Sequence, residues 1–149
     1  MSNLIVEIGL RYKELCRNDK VTVNVDVDNK ETFIYFDSEV ITTILNNLLS
    51  NALKYTSEGE IHLSLRTVEE IDGRYTEIAG SDTGHGIEAS SLSHIFEQYY
   101  QVNSKHQASG TGIGLALVKS LAELHEGILS VESELDKGTV FTLRLLTDN

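Results

Sequence analysis

The sequence predicts a two-layer α/β sandwich: a mixed, mostly antiparallel sheet with helices on one face. Three observations carry that expectation. Several segments alternate apolar and polar residues, so the sheet they build has one dry face and one wet one. These segments come in pairs, and two of the pairs are joined by turn signals that make them hairpins. Between the pairs stand stretches whose apolar residues recur at three and four, the period of a helix with one buried stripe. The resulting order is α-ββ-α-ββ-lid-α-ββ.

The first helix spans Leu4 to Arg17, with Leu4, Ile8, Tyr12, Leu15 and Cys16 inward and Asn18-Asp19 as its end. Val21 to Val27 alternates without a break and is a strand with one wet face. Phe33 to Phe36 is a short buried strand leading to Asp37 and Ser38, either of which can cap the next helix. That helix, Asp37 to Thr56, is the centre of the chain. It has about 18 residues, so it is roughly 27 Å long, and it turns Ile41, Ile44, Leu45, Leu48, Ala52 and Tyr55 inward. Ser57-Glu58-Gly59 ends it. Ile61, Leu63 and Leu65 mark a third strand, Asp72-Gly73 a hairpin, and Arg74 to Ser81 a fourth strand.

Between Asp82 and Gly112 the regular patterns fade, apart from a short helical piece near Leu92 to Tyr100. A connection of that length inside a compact domain is usually functional, often a lid; here it is placed at about 93–112. Gly112 to Glu126 is the third helix, with Ile113, Leu117, Leu121 and Leu124 inward and Gly127 as its C-terminal cap. Leu129, Val131 and Leu135, then Phe141, Leu143 and Leu145, close the sheet around the turn Asp136-Lys137-Gly138. No repeat or low-complexity linker divides residues 1–149, which are read as one domain.

With 12 basic and 23 acidic residues the net charge is −11, which argues against a nucleic-acid or anionic-membrane surface. An anion would have to be held by a few placed groups. The one cysteine, Cys16, excludes an internal disulfide framework and suits a buried structural role. There is no apolar run long enough to span a bilayer and no secretory signal, so the expectation is a cytoplasmic piece with no membrane contact of its own.

Asn47, Asn51 and Lys54 lie at i, i+4 and i+7 of the central helix, on one stripe beside the apolar one. Asparagine is a poor mid-helix residue. Amide oxygens suit a hard cation and an ammonium group suits phosphate, so the stripe reads as a magnesium-phosphate site. A solvated polar face accounts for the same residues without chemistry. Ser81-Asp82-Thr83-Gly84-His85-Gly86-Ile87 follows a strand: Asp82 can accept from an exocyclic amine, and the glycines let backbone approach a flat ring. An ordinary Asp-Gly turn fits it too.

Gly110-Thr111-Gly112-Ile113-Gly114-Leu115 opens a helix, where free N–H groups favour phosphate. It is not the dinucleotide fingerprint, which would need glycine at position 115 or 117, where leucines stand. Gly138-Thr139-Val140-Phe141 begins the last strand and by itself is a hairpin turn.

Taken together, an Asn-x-x-x-Asn-Ala-x-Lys-Tyr helix, then D-T-G-x-G-I, F-E-x-Y-Y, G-T-G-I-G-L-A and a terminal G-T-x-F strand resemble the GHKL ATPase superfamily with its Bergerat fold. Within it the chain resembles the catalytic, ATP-binding (HATPase) domain of a bacterial sensor histidine kinase, over essentially its whole length. The resemblance implies ATP with Mg2+. It implies Asn51 as the magnesium ligand, Asn47 in support, Lys54 neutralising phosphate, and Tyr55 packing near the adenine or ribose. Asp82 would bind the adenine amino group, with Gly84, Gly86 and Ile87 shaping that pocket and Thr139 supporting the base. The segment Gly110, Thr111, Gly112, Ile113, Gly114 and Leu115 would bind nucleotide, its glycines wrapping the phosphates. Phe96 to Tyr100 would be the lid segment that meets a phosphoacceptor domain.

Gyrase and the heat-shock chaperones resemble one another in carrying a glutamate base where this chain has Asn47. An amide cannot take a proton from water, so the branch implied is kinase rather than hydrolase. The acceptor histidine would lie on a separate dimerisation domain, absent here, of the same or a partner chain, because no histidine has the acidic neighbour and following proline of related kinases. His125 reads as a charge partner for a helix end. A response-regulator receiver domain and a membrane-anchored sensor complete the implied assembly. The chain departs at Gln101, where related kinases have arginine; Lys105 is the nearest substitute, with His106 second. It also departs at Gly80, where a β-branched residue is usual, and at Glu126, which replaces a glycine. Alternatives are a GHKL-fold ATPase, an anti-sigma-type serine kinase, or a nucleotide-binding module without phosphotransfer. From another class, Asp82-Thr83-Gly84 spells the aspartic-protease tripeptide, although that fold is nearly all β.

Overall fold

The computed structural model describes residues 1–17, 19–28, 36–97 and 114–146. Its elements are α1 (Ser2–Leu15), β1 (Val21–Val27), α2 (Ser38–Tyr55), β2 (Gly59–Glu70), β3 (Gly73–Asp82), the one-turn α3 (Ala89–Leu92), α4 (Gly114–Leu124), β4 (Ile128–Glu134) and β5 (Gly138–Leu146). The strands form one sheet in the order β1-β2-β3-β5-β4. β1 and β2 are parallel and every other pair is antiparallel. The parallel pair follows from connectivity, since α2 intervenes between the two strands as a crossover helix. The expected mixed, mostly antiparallel sheet with helices on one face is what the chain forms.

Alternation along each strand sets the inner face. Ile61, Leu63 and Leu65 on β2 stand opposite Asp82, Gly80 and Ile78 on β3, and these stand opposite Thr139, Phe141 and Leu143 on β5. The helices cover that face with Ile5, Ile8 and Tyr12 from α1, six buried residues from Ile41 to Ala52 of α2, and Val118 and Ala122 from α4. Asp37 caps α2, its Oδ1 accepting the N–H of Glu39 at 2.9 Å. The Tyr12 hydroxyl reaches the Asn46 carbonyl at 3.1 Å and ties α1 to α2.

Several expectations need correction. Leu15 is exposed at the end of α1, and Ile5 rather than Leu4 leads the buried stripe. On α4 it is Val118 and Ala122 that turn inward, while Leu117 and Leu124 are 41% and 76% exposed. Small residues there let α4 approach α2 and the sheet closely, and the leucines take the outer side. Leu135 lies in the turn before β5 and is exposed, not inward. The helical piece placed near Leu92 to Tyr100 is α3, earlier and only one turn long, and Gln98 to Tyr100 lie outside the described residues. So do Phe33 to Tyr35 of the short strand; Phe36 itself is outside any strand and packs against the core.

His125 is not a charge partner. Its Nε2 accepts the Asp37 N–H at 2.8 Å, which needs an unprotonated nitrogen and joins the end of α4 to the start of α2. The left-handed residue after α4 is Glu126, at φ 59°, rather than Gly127. Gly127 serves packing instead: a Cβ there would lie 2.8 Å from a Leu145 methyl. We expect Glu126→Gly to raise stability by up to about 1 kcal/mol, because relief of left-handed strain exceeds the added freedom of the unfolded chain. A thermal melt checks it, and a lower melting temperature would contradict it.

Candidate functional site

Along β3 the inner face runs Ile78, Gly80, Asp82, so an apolar row ends on a carboxylate. Asp82 is half-buried, between buried Ile61 on β2 and buried Thr139 on β5. Its Oδ1 accepts the Gly84 N–H at 2.9 Å. Burial pushes the Asp82 carboxyl above the ordinary range, against the pull of the Gly84 and Thr139 N–H groups and the nearby His85. A carboxylate has about four acceptor positions, so capacity is left for a donor from outside.

Two structures clamp the loop after Asp82. On one side is the end of α2, where the Tyr55 carbonyl accepts the His85 N–H at 3.2 Å. A Cβ on Gly84 would collide with that carbonyl and would lie 2.8 Å from the Thr56 hydroxyl and 3.0 Å from Asp82 Oδ1. On the other side is the β4–β5 hairpin. Asp136 donates its N–H to the His85 carbonyl at 2.7 Å. Gly86, at φ 73°, lies where a Cβ would run into the Glu134 carbonyl. Only glycine satisfies both the backbone angle and the space. Thr56 is 3% exposed, and its hydroxyl has no hydrogen-bond partner among the described residues.

Sequence reading missed Ser133. Its Oγ accepts the Ile87 N–H at 2.8 Å, donates to the Gly138 carbonyl at 2.9 Å and lies 2.8 Å from the Thr139 hydroxyl. A serine has one hydrogen to give, so the Thr139 hydroxyl is the donor in the third bond and keeps its own lone pairs available. Alternation from Leu129 and Val131 carries on to Ser133, the last inner-face position before β4 ends at Glu134, and Leu135 is already in the turn.

On α2, Asn47 and Asn51 are half-buried and Lys54 is exposed, as expected of a stripe flanking the core. The Asn47 amide nitrogen donates to the Thr43 carbonyl at 2.8 Å, which leaves its oxygen as the free end. Tyr55 is half-buried one turn beyond Asn51. The structure therefore brings the end of α2, Asp82 to Ile87, and Ser133 with Thr139 together. Gly114 opens α4, and Leu115 is half-buried against the core. Phe96 packs edge-on to Phe141, with ring centres 6.3 Å apart. Lys105, Gly110, Thr111, Gly112 and Ile113 lie outside the described residues, as do Gln101 and His106.

Residues 36–149 match the family described as histidine kinase-, DNA gyrase B-, and HSP90-like ATPase. The chain belongs to this family. Sensor histidine kinase RppB of Synechocystis sp. is 30% identical over 148 residues, which cover 97% of this chain and 32% of that protein. The autoinducer 2 sensor kinase/phosphatase LuxQ of Vibrio vulnificus is 36% identical over 141 residues, 90% of this chain and 16% of that protein. The chain thus spans 32% or less of the length of these two curated relatives. Among solved structures, full-length ShkA in complex with AMPPNP superposes with a TM-score of 0.83 at 26% identity, over 97% of this chain and 29% of that one. Within the histidine kinase-, gyrase- and HSP90-like family, this chain is of the sensor histidine kinase type, and it corresponds to their ATP-binding catalytic domain.

The donor set at the site fits a magnesium nucleotide. Asp82 is a half-buried acceptor that nearby N–H groups do not exhaust, and Gly84 and Gly86 keep its surroundings free of side chains. Among the described residues no three His, Cys, Asp or Glu side chains gather as they would around a metal. A metal at the α2 stripe would meet amide oxygens and take the rest of its shell from phosphate and water, the habit of magnesium.

Proposed function

We propose that this domain binds ATP with Mg2+ and presents the γ-phosphate to a histidine on a separate helical domain, of the same or a partner chain, from which a response-regulator receiver takes it. The observation that carries this reading is the half-buried Asp82 carboxylate, which ends the inner face of β3 between the close of α2 and the β4–β5 hairpin. In this reading the remaining lone pairs of Asp82 accept from the exocyclic amine of adenine. Guanine would turn a carbonyl oxygen toward the carboxylate and be repelled. Thr139, held by Ser133, lines the same wall, while Gly84, Gly86 and Ile87 shape it and Tyr55 packs beside the base or ribose.

Lys54 places an ammonium group against phosphate. The Asn47 amide cannot act as a base toward water, which favours transfer to an imidazole that brings its own nucleophilic nitrogen. Mg2+, held by the amide oxygen of Asn51 with Asn47 in support, would neutralise charge on the phosphates. Gly110, Thr111, Gly112, Ile113, Gly114 and Leu115 would wrap them, and Lys105 would supply the cation that Gln101 does not. The chain's own contribution is positioning and charge balance, since phosphoryl transfer asks for little else. No helix among the described residues is long and apolar enough to cross a membrane. In this reading the anchor belongs to other parts of a sensor kinase whose cytoplasmic portion includes this domain.

Calorimetric titration with a non-hydrolysable ATP analogue, with and without magnesium, tests the reading. Tighter binding with magnesium and preference over the guanine analogue are expected; equal affinity for both bases would defeat the assignment of Asp82. Adding the helical domain should then yield acid-labile phosphohistidine, whereas binding without that product would indicate a nucleotide module. The aspartic-protease alternative does not suit a chain with helices of 14, 18 and 11 residues.

A further inference from the structure

Gly80 differs from the other glycines around the site. A Cβ built on Gly59, Gly84, Gly86 or Gly138 would lie within 3.0 Å of a neighbour, but on Gly80 it meets no described atom within 4 Å. Nor does the backbone require glycine there, since the left-handed glycines are Gly59, Gly73, Gly86 and Gly138. The position is in the middle of the sheet, paired with Leu63 on one side and Phe141 on the other, both buried, while Gly80 itself is only half-buried. Among the described residues, the missing side chain thus leaves open space on the inner face. That space lies one same-face step, about 7 Å of strand, from Asp82 toward the centre of the sheet.

We propose that Gly80 is a specificity-determining position: the space above it forms a recess behind Asp82 that admits a small alkyl group on the exocyclic nitrogen of adenine. This deepens the nucleotide reading and rests on it. The clamped loop and the end of α2 lie at the Asp82 end of β3, so a base entering there leads with its amine toward the carboxylate. A secondary amine keeps one hydrogen for Asp82 and directs its substituent past it, over Gly80, whose partners on the neighbouring strands are Leu63 and Phe141. A valine at this position would fill the recess.

The experiment titrates the full chain and its Gly80→Val and Gly80→Ala variants with ATP and with ATP carrying methyl or propyl on the exocyclic amine. The parent should bind the alkylated nucleotides within about threefold of ATP, and Gly80→Val should keep ATP within about threefold while losing the propyl compound by about tenfold or more. Gly80→Ala should fall between and carries the same comparison if the valine variant does not fold. Rejection of the alkylated compounds by the parent would overturn the proposal alone, as would an equal loss of ATP and analogue in both variants. Failure of the parent to bind ATP at all would overturn the nucleotide reading and this proposal with it.

Discussion

Replacing Asp82 with Asn lowers the affinity for ATP by about 10- to 100-fold, the loss of one hydrogen bond to a charged acceptor. The side chain keeps its shape and can still accept the Gly84 N–H with its remaining oxygen. Its other end becomes an NH2 group, which faces the adenine amine donor to donor. The same NH2 suits the carbonyl of guanine, so discrimination against GTP should shrink or reverse. Stability should move the opposite way. Burial raises the Asp82 carboxyl above its ordinary value of 3.8, so between that value and the raised one the folded state holds the proton more often than the unfolded chain. Stability contributed by this group therefore falls as pH rises through that window, and at neutral pH the ionised carboxylate is a net burden. Asp82→Asn should thus gain in melting temperature relative to the parent as pH rises from acid to 7, whatever it loses by offering one oxygen instead of two to the Gly84 and Thr139 N–H groups. Calorimetry and a melt at two pH values read both effects; unchanged ATP affinity would remove Asp82 from the site.

Asn51→Ala should abolish the part of nucleotide binding that depends on magnesium, so that affinities with and without the metal coincide. The nearest other amide on the stripe, Asn47, is tied to the Thr43 carbonyl through its nitrogen and is not free to swing across. Folding should survive, because alanine is the better helix former by roughly 0.5 kcal/mol. A melting temperature equal to or above the parent's, together with lost magnesium dependence, separates a ligand from a structural residue. Persistent magnesium dependence would end the assignment.

Much of this architecture can be read from residue order. β1 occupies Val21–Val27 as alternation implies, α2 runs from Ser38 to Tyr55 behind its Asp37 cap, and Ile61, Leu63, Leu65, Phe141, Leu143 and Leu145 are all buried. Strand alternation has only two phases, and a turn signal chooses between them. Helix phase is looser. On α4 the largest apolar residues, Leu117 and Leu124, suggest an inner stripe, but the space between α4 and its neighbours selects Val118 and Ala122. Similarly, Glu126 takes a left-handed conformation beside a glycine that would adopt it more easily, because Gly127 is needed where it touches Leu143 and Leu145.

At the site, Asp82 was legible because a carboxylate ending an apolar strand is conspicuous. Ser133 was not, because its value comes from the N–H of Ile87, far away in sequence. Thr56 was hidden for the same reason: nothing local marks a helix-terminal threonine as buried.

The hydrogen bonds from Ser133 and Asp136 to the loop after Asp82 impose a timetable on synthesis. A chain growing from its N-terminus can complete α1 through β3 while the wall of the cleft is still unbuilt, because Ser133, Asp136 and Thr139 all come from the closing hairpin. On the proposed nucleotide reading, ligand can stabilise only a chain in which β5 has already emerged and paired, so it acts as a late lock on this sheet rather than an early template for it.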